Sequence, residues 1–184
     1  MGQMRDLADV SSVHWAAMPN GDRPDIGQLL IALAADSDDS KADITFQLEL
    51  TLTEMTGLQL YQSAAQAIPF LVHIAINPSS RGAQFGALDL LHSIATCLSY
   101  SLQTLTAGHT DNLAHIALQA EKPAIETFAA TLDSSDDKLL QEFRDLLEYW
   151  DEPPTPCPHC GRSLATPRAQ QCLHCHVKWH AKAT

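Results

Sequence analysis

The sequence of 184 residues has no apolar run long enough to cross a bilayer, which needs about 20 apolar residues in a helix. Its longest apolar segment, AIPFLVHIAI, is short and contains a proline and a histidine. The first residues have no apolar signal region, and Asp6 stands where a myristoylation signal has serine or threonine. We therefore expect a cytoplasmic protein that does not bind a membrane.

The sequence also lacks the motifs of the common enzyme classes, since it contains no H-E-x-x-H, no G-x-S-x-G and no glycine-rich phosphate loop. One polar cluster, HTDNLAH, would place Asp111 and His115 on one helix face beside His109. Such a group can bind a metal or act in acid–base catalysis, but it is more often a helix N-cap with exposed histidines. We therefore predict a protein that is not an enzyme, and a hydrolase using these three residues is an alternative.

Positive charge is scarce and unevenly placed. The chain has 22 acidic residues against 11 lysines and arginines, a net charge of −11. All 22 acids and seven of the basic residues lie in residues 1–152, which gives 7 − 22 = −15, whereas residues 153–184 carry four basic residues and no acid. An acidic body attracts basic proteins and repels phosphate backbones, although negative charge also serves solubility. We expect a protein partner, with nucleic-acid binding through the basic C-terminal segment as the alternative.

Cysteine is rare outside the C-terminus, where two C-x₂-C pairs are separated by eleven residues. Cys97, among apolar residues, fits a small buried side chain. The two pairs can place four thiolates around one Zn²⁺, and we predict one structural zinc with these ligands: Cys157, Cys160, Cys172 and Cys175. Two disulfides are the alternative, which the missing secretion signal disfavours.

The segment CPHCGRSLATPRAQQCLHCHVKW resembles a zinc ribbon whose first knuckle, CPxCG, is rubredoxin-like. Four spare histidines accompany it: His159, His174, His176 and His180. A closed site with four thiolates leaves no position for a water, so we expect no catalysis at the zinc. The preceding DEPPTP fits a semi-rigid linker. We predict three parts: a helical domain at residues 1–150, a linker at 151–156 and the zinc ribbon at 157–184.

Apolar residues at helical spacing fill most of the first 150 positions. Ile26, Leu29, Leu30 and Leu33 follow i, i+3, i+4, i+7, after a turn in which Asp22 is a candidate N-cap. Further helical patterns occupy residues 1–20, 58–76, 83–98, 111–120, 123–132 and 139–150. Pro69 predicts a kink or break, and Pro123 predicts a bend.

The stretch ITFQLELTLTEM, Ile44 to Met55, is ambiguous because its alternating apolar residues are typical of a strand. However, IGQLLIALAADSDDSKADITFQLELTL aligns with IPFLVHIAINPSSRGAQFGALDLLHSI at an offset of 42 residues, and the second half of that copy is plainly helical. A looser third copy is PAIETFAATLDSSDDKLLQEFRDLLEYW. We therefore predict an inner helix packed between repeats, with Phe46 and Leu50 buried as well as Leu48. A strand remains the alternative.

Each copy consists of a helix, a polar turn and a second helix, and a period near 42 is typical of HEAT and armadillo repeats. The predicted fold is all-α: a short HEAT-like α-solenoid of antiparallel helix pairs, followed by the small zinc ribbon with four cysteines.

The run GLQLYQSAAQAIPFL, Gly57 to Leu71, resembles the small HEAT-like repeat proteins of bacteria, which carry a tyrosine, small residues and a Pro-Phe-Leu segment after a glycine turn. The likeness covers about residues 12–100. It departs from the family at Gly57, which lies further from Tyr61 than is usual, and in the added cysteine module. The resemblance implies a non-enzymatic helical protein, and some family members resemble immunity proteins that accompany bacterial toxins.

The second helices of the repeats carry acidic residues, and in solenoids these helices commonly line the concave face. We predict a partner-binding surface there, composed of Glu49, Glu54, Asp89, His92, Glu142, Asp145 and Glu148. A solvated acidic face without a partner is the plain alternative. The most concrete function is an immunity protein that binds and neutralises a basic bacterial toxin through this surface, and the alternative is a regulatory adaptor that binds nucleic acid through the ribbon.

Overall fold

The structure, a computed structural model, describes residues 7–15, 25–35, 40–54, 59–103, 109–132, 136–151, 157–160 and 175–178. A short 3₁₀ helix comes first, at Leu7–Ser12. Six α-helices and two short strands follow in the described part: α1 Ile26–Ala34, α2 Lys41–Leu52, β1 Thr53–Glu54, β2 Gln59–Leu60, α3 Gln62–Ile76, α4 Arg81–Gln103, α5 His109–Ala129 and α6 Asp137–Asp151. The prediction of a mostly helical chain is confirmed.

Consecutive helices pack in pairs, α1 with α2, α3 with α4 and α5 with α6. Contacts between the pairs follow two rows, because α4 lies between α2 and α6, while α3 contacts both α1 and α5. Helix α3 is the centre of the apolar core, and most of its residues are buried, Ile68, Phe70 and Leu71 completely. The second helices of all three predicted copies are therefore neighbours in space.

The ambiguous stretch is a helix up to Leu52, as its alignment with α4 predicts. Its end differs from the prediction, because Thr53 and Glu54 form a two-residue strand that pairs antiparallel with Gln59 and Leu60. The predicted burial on both sides is wrong. Leu48 and Leu52 are fully buried, whereas Phe46 is 56% and Leu50 is 42% exposed.

The physical reason is the position of α2 in its row. Helix α2 packs against α1 and α4, which cover the side that carries Leu48 and Leu52. No described helix covers the opposite side. An apolar residue on such an uncovered helix face stays in contact with solvent.

Three other expectations for local structure are corrected. Of the leading helix predicted over residues 1–20, the described residues 7–15 contain only the short 3₁₀ helix, and residues 1–6 and 16–20 lie outside the described part. Asp25, rather than Asp22, caps α1, since its carboxylate accepts a hydrogen bond of 2.9 Å from the Gly27 N–H. Helix α5 runs through Pro123 as one helix, and the residues around the missing hydrogen bond, Gln119 and Pro123, are exposed, so that water can satisfy the freed carbonyl.

The C-terminus of α1 is held by a buried lysine. Lys41 is only 6% exposed, and its ammonium group donates hydrogen bonds of 2.8 Å to the carbonyl oxygens of Ala32, Leu33 and Ala35. The Ser79 hydroxyl, in the turn before α4, donates to the carbonyl of Ala35 as well, at 2.9 Å. A cation at the negative end of the helix dipole satisfies the last carbonyls and fixes the turn between α1 and α2.

Helices α2 and α4 approach each other closely at Gly86. A Cβ atom at this position would lie 2.5 Å from the Thr45 hydroxyl oxygen and 3.1 Å from a methyl group of Leu33. The absent side chain therefore lets the two helices come together, and Gly86 itself is buried.

Candidate binding groove and metal centre

An open groove with a volume of about 820 Å³ lies along α2, α4 and α6. Its residues on α2 and α4 recur at helical spacing, so that one face of each helix lines it. The lining is formed by Lys41, Ala42, Thr45, Phe46, Glu49, Gly82, Phe85, Gly86, Asp89, Leu90, His92, Ser93, Glu142 and Asp145. Gly82 and Gly86, one turn apart on α4, contribute no side chains, and this deepens the groove.

The structure brings five of the seven predicted partner-binding residues into this groove: Glu49, Asp89, His92, Glu142 and Asp145. Glu148 is exposed on α6 but does not line the groove. The side chain of Glu54 lies outside the described residues. The acidic residues of three sequence-distant helices thus share one concavity.

Two polar contacts join the helices across the groove. The Ser93 hydroxyl on α4 donates a hydrogen bond of 2.6 Å to the Glu49 carboxylate on α2. His92 Nε2 lies 3.2 Å from the Glu142 carbonyl oxygen on α6 and 3.8 Å from its carboxylate. A carbonyl only accepts, so the contact requires the proton of His92 to be on Nε2. The first contact fixes the position of the Glu49 carboxylate, and the second joins His92 on α4 to the backbone of α6.

The groove has a negative potential that acts on Asp89. This residue is exposed, yet desolvation by the surrounding helices raises the pKa of its carboxyl, and repulsion from Glu142 and Glu49 raises it further, while His92 and Lys138 oppose the shift. Lys41 is the one lysine or arginine among the lining residues named above, and its ammonium group contacts the end of α1. The groove is therefore suited to a cationic ligand.

Two aromatic residues of the groove were not predicted as functional. Phe46 was expected in the core, and its 56% exposure makes it part of the groove surface. Phe85 lies beneath two cations, because Arg81 is 5.6 Å and Lys138 is 5.0 Å from the centre of its ring. Helical spacing could have placed Phe46 with Thr45 and Glu49 on one face, but the sequence does not reveal that this face is open.

The C-terminal segment brings three thiols together. The sulfur atoms of Cys157, Cys160 and Cys175 all lie within 4.8 Å of one another, and those of Cys157 and Cys175 are 3.8 Å apart. Thiolates bound to one Zn²⁺ at about 2.3 Å in a tetrahedron are also about 3.8 Å apart, whereas a disulfide requires about 2.05 Å. The three described thiols therefore fit a shared metal ion, and Cys172 lies outside the described residues.

The local backbone supports a knuckle at the first cysteine pair, and Cys175 is the one described member of the second pair. The His159 N–H donates a hydrogen bond of 3.4 Å to the Cys157 sulfur, within the turn that follows this cysteine. His176, directly after Cys175, has a left-handed backbone with φ of 57°, at the position where the first pair has Gly161. The group of metal-binding atoms includes neither His159 nor His176. Of the four spare histidines, His174 and His180 lie outside the described residues.

The alternative catalytic cluster is described only in part. His115 is exposed on α5, and the side chains of His109 and Asp111 lie outside the described residues. In the described residues, no helix is both long and apolar enough to cross a membrane.

Comparison with protein-family models, with curated proteins and with solved structures found no match for this chain. The class of protein that fold and site define is a mostly helical protein with a C-terminal cysteine cluster that can hold a metal ion.

Proposed function

We propose that this chain is a non-enzymatic protein-binding module whose groove along α2, α4 and α6 receives a basic segment of a partner protein. The observation that carries the proposal is the convergence of Glu49, Asp89, Glu142 and Asp145 in one concavity that also exposes an aromatic ring. Isolated surface charges seldom give affinity, but carboxylates that converge around apolar surface supply both attraction and area.

Long-range electrostatics favour the same class of partner. Residues 1–152 carry a net charge of 7 − 22 = −15. Such a field raises the association rate of basic proteins, while the groove provides the place where the encounter becomes a specific contact. Binding would act by occlusion, since the partner surface that enters the groove is no longer accessible to its own target.

The helical part is proposed to be a short HEAT-like α-solenoid. Support comes from the helix pairs and from the row α2–α4–α6, in which each member is the second helix of one predicted copy. In solenoids the second helices commonly line the concave face, and the groove lies on these helices. The most concrete version of the function is an immunity protein that neutralises a basic bacterial toxin.

The C-terminal segment is proposed to hold one structural Zn²⁺ with Cys157, Cys160, Cys172 and Cys175. The spacing of the three described sulfurs supports it. Zinc would supply folding energy to a segment with few apolar residues and, with four thiolates bound, would have no open position for catalysis.

Charge reversal on α6 tests the binding proposal. Asp145→Lys places a cation in the groove, and Glu148→Lys makes the same change in net charge on an exposed residue outside it. The wild-type chain and both variants are immobilised, proteins of the source organism are captured, and the affinity of the purified captured protein is then measured. We expect Asp145→Lys to weaken binding about tenfold or more, because one attraction becomes a repulsion, and Glu148→Lys to change it little.

Circular dichroism of both variants confirms that they fold. Equal affinity of the wild type and Asp145→Lys would contradict a role for the groove. An equal loss for both variants would show that only the overall charge matters.

A further inference from the structure

Beside the groove, one arginine contacts both an aromatic ring and a carboxylate. The Arg81 guanidinium lies 5.6 Å from the centre of the Phe85 ring, and its Nη1 is 3.0 Å from the Asp136 carboxylate. This contact joins the start of α4 to the start of α6. A planar cation can stack on a ring and pair with a carboxylate at once, and arginine does so better than lysine.

Phe46 is a second aromatic residue of the groove, and it could stack with a cation as Phe85 does with Arg81. Its ring lines the groove and is 56% exposed, and among the described residues no lysine or arginine lies over it. Glu49 follows three residues later and lines the groove from the same face of α2. Ser93 holds the Glu49 carboxylate at 2.6 Å, and a carboxylate can accept further hydrogen bonds beside this one.

Asp89 completes the set from α4. It lines the same groove and is exposed. Desolvation, and then repulsion from Glu142 and Glu49, raise the pKa of its carboxyl, so a negative charge there is unfavourable, and an arriving cation would relieve the repulsion. A purely apolar group entering beside Phe46 would instead remove water from these carboxylates without replacing it.

We infer that Phe46, Glu49 and Asp89 form a subsite for an arginine side chain of the partner protein. This inference rests on the proposed function and gives it a chemical identity: the basic segment is anchored by a guanidinium stacked on Phe46 and paired with the carboxylates of α2 and α4. The exposed aromatic surface and the charge complementarity then have a single explanation.

Short peptides test the subsite without knowledge of the partner. The full-length chain with labelled phenylalanine rings is titrated with acetyl-Gly-Arg-Gly-amide and with acetyl-Gly-Lys-Gly-amide, and ring resonances are followed by NMR. We expect the arginine peptide to shift the Phe46 ring and to bind more tightly than the lysine peptide. Phe46→Leu keeps an apolar side chain but removes the π system, and it should weaken the arginine peptide about two- to fivefold.

Leu50→Ala is the matched control, because Leu50 is the other large exposed apolar residue of α2 and does not line the groove. Equal affinity for the two peptides would overturn the inference. So would an unchanged arginine affinity in Phe46→Leu. Concentration-dependent shifts of Phe46 in the absence of peptide would also overturn it, since a second copy of the chain would then cover the ring.

The outcomes separate this inference from the proposed function. If the captured partner is lost with Asp145→Lys but binds Phe46→Leu normally, the groove binds a basic partner and the arginine subsite is wrong. If the arginine peptide binds at Phe46 but Asp145→Lys leaves partner capture unchanged, the subsite exists and the proposed function is wrong.

Discussion

At the scale of single residues, a buried carboxyl on α5 gives a prediction that depends on pH. Glu121 is 7% exposed, and desolvation raises its pKa above the ordinary value of 4.5. Such a group is harder to ionise in the folded chain than in the unfolded chain. The free-energy cost of burying the ionised carboxylate is absent at low pH, where the carboxyl is protonated in both the folded and the unfolded chain. This cost appears as the pH rises above 4.5 and is complete above the folded pKa.

We therefore expect Glu121→Gln to raise the melting temperature by a few degrees at pH 7.5 and to lose this advantage below the pH at which the unfolded carboxyl is protonated. Thermal melts from pH 3.5 to 8 provide the measurement. Glu126→Gln, an exposed residue 3.8 Å from Lys122, is the control and should not stabilise. A lower melting temperature of Glu121→Gln at pH 7.5 would show that the ionised carboxylate is favourably paired.

Single residues also show where local sequence information ends. The sequence places Asp22 and Asp25 on either side of Pro24, and either aspartate is a suitable N-cap. The choice depends on where α1 begins to pack. Trp15 approaches Gly27 so closely that a Cβ there would lie 2.9 Å from its indole nitrogen, and this contact at the first turn follows from tertiary structure. Cap chemistry was predictable from the sequence, but its exact residue was not.

At the scale of helices, the approach of α2 and α4 depends on Gly86. Gly86→Ala gains helix propensity of about 0.5–1 kcal/mol but forces the new methyl group against the Thr45 hydroxyl, and overpacking costs about 1–3 kcal/mol. We expect a net destabilisation of about 1 kcal/mol in urea unfolding. Thr45→Ala in the same chain removes the oxygen that would lie at 2.5 Å and should restore most of the loss.

The measurement compares Gly86→Ala, Thr45→Ala and the double variant in a mutant cycle. Gly82→Ala is a matched control, since Gly82 lies one turn away on the same helix and is less buried than Gly86. Additive effects in the cycle would mean that the two positions do not touch.

Helix α2 illustrates what periodicity can and cannot predict. Its alternating residues are compatible with a strand, and only the alignment with α4 favoured a helix, because that copy has clear helical spacing. Burial of Leu48 could be predicted in the same way. Exposure of Phe46 could not, since it depends on which helix lies beyond α2, and the order of helices in space is absent from any local pattern.

At the scale of the whole molecule, the candidate site was predicted in unequal parts. The acidic residues were predictable because they recur on the second helices, and packing in the row α2–α4–α6 brings them together. The depth of the groove was not predictable, because it depends on Gly82 and Gly86 lining the same groove as the uncovered face of α2. The cysteine cluster was the most predictable feature, since the two-residue spacing brings the sulfurs of Cys157 and Cys160 together within one turn of chain, and two such pairs can supply the four ligands of one zinc ion.

Metal removal is the test that belongs to this scale. The six α-helices pack on one another through apolar side chains and through residues such as Lys41, and the three described thiols that could hold a metal ion belong to no α-helix. We therefore expect the purified chain to carry about one zinc ion, and a chelator to unfold the cysteine segment while the helical circular dichroism is retained.

Cys160→Ser should reduce the zinc content, because a hydroxyl is a poor substitute for a thiolate, whereas Cys97→Ser should not, because Cys97 is buried in α4 and lies outside the cysteine cluster. Metal analysis gives the zinc content, and the NMR signals of His159 and His176 report the fold of the segment. A reduced, metal-free chain with unchanged histidine signals would contradict the zinc site. A chelator that abolished the helical signal would instead show that the helices depend on the metal, so the two readouts together decide whether the chain is one folding unit or two.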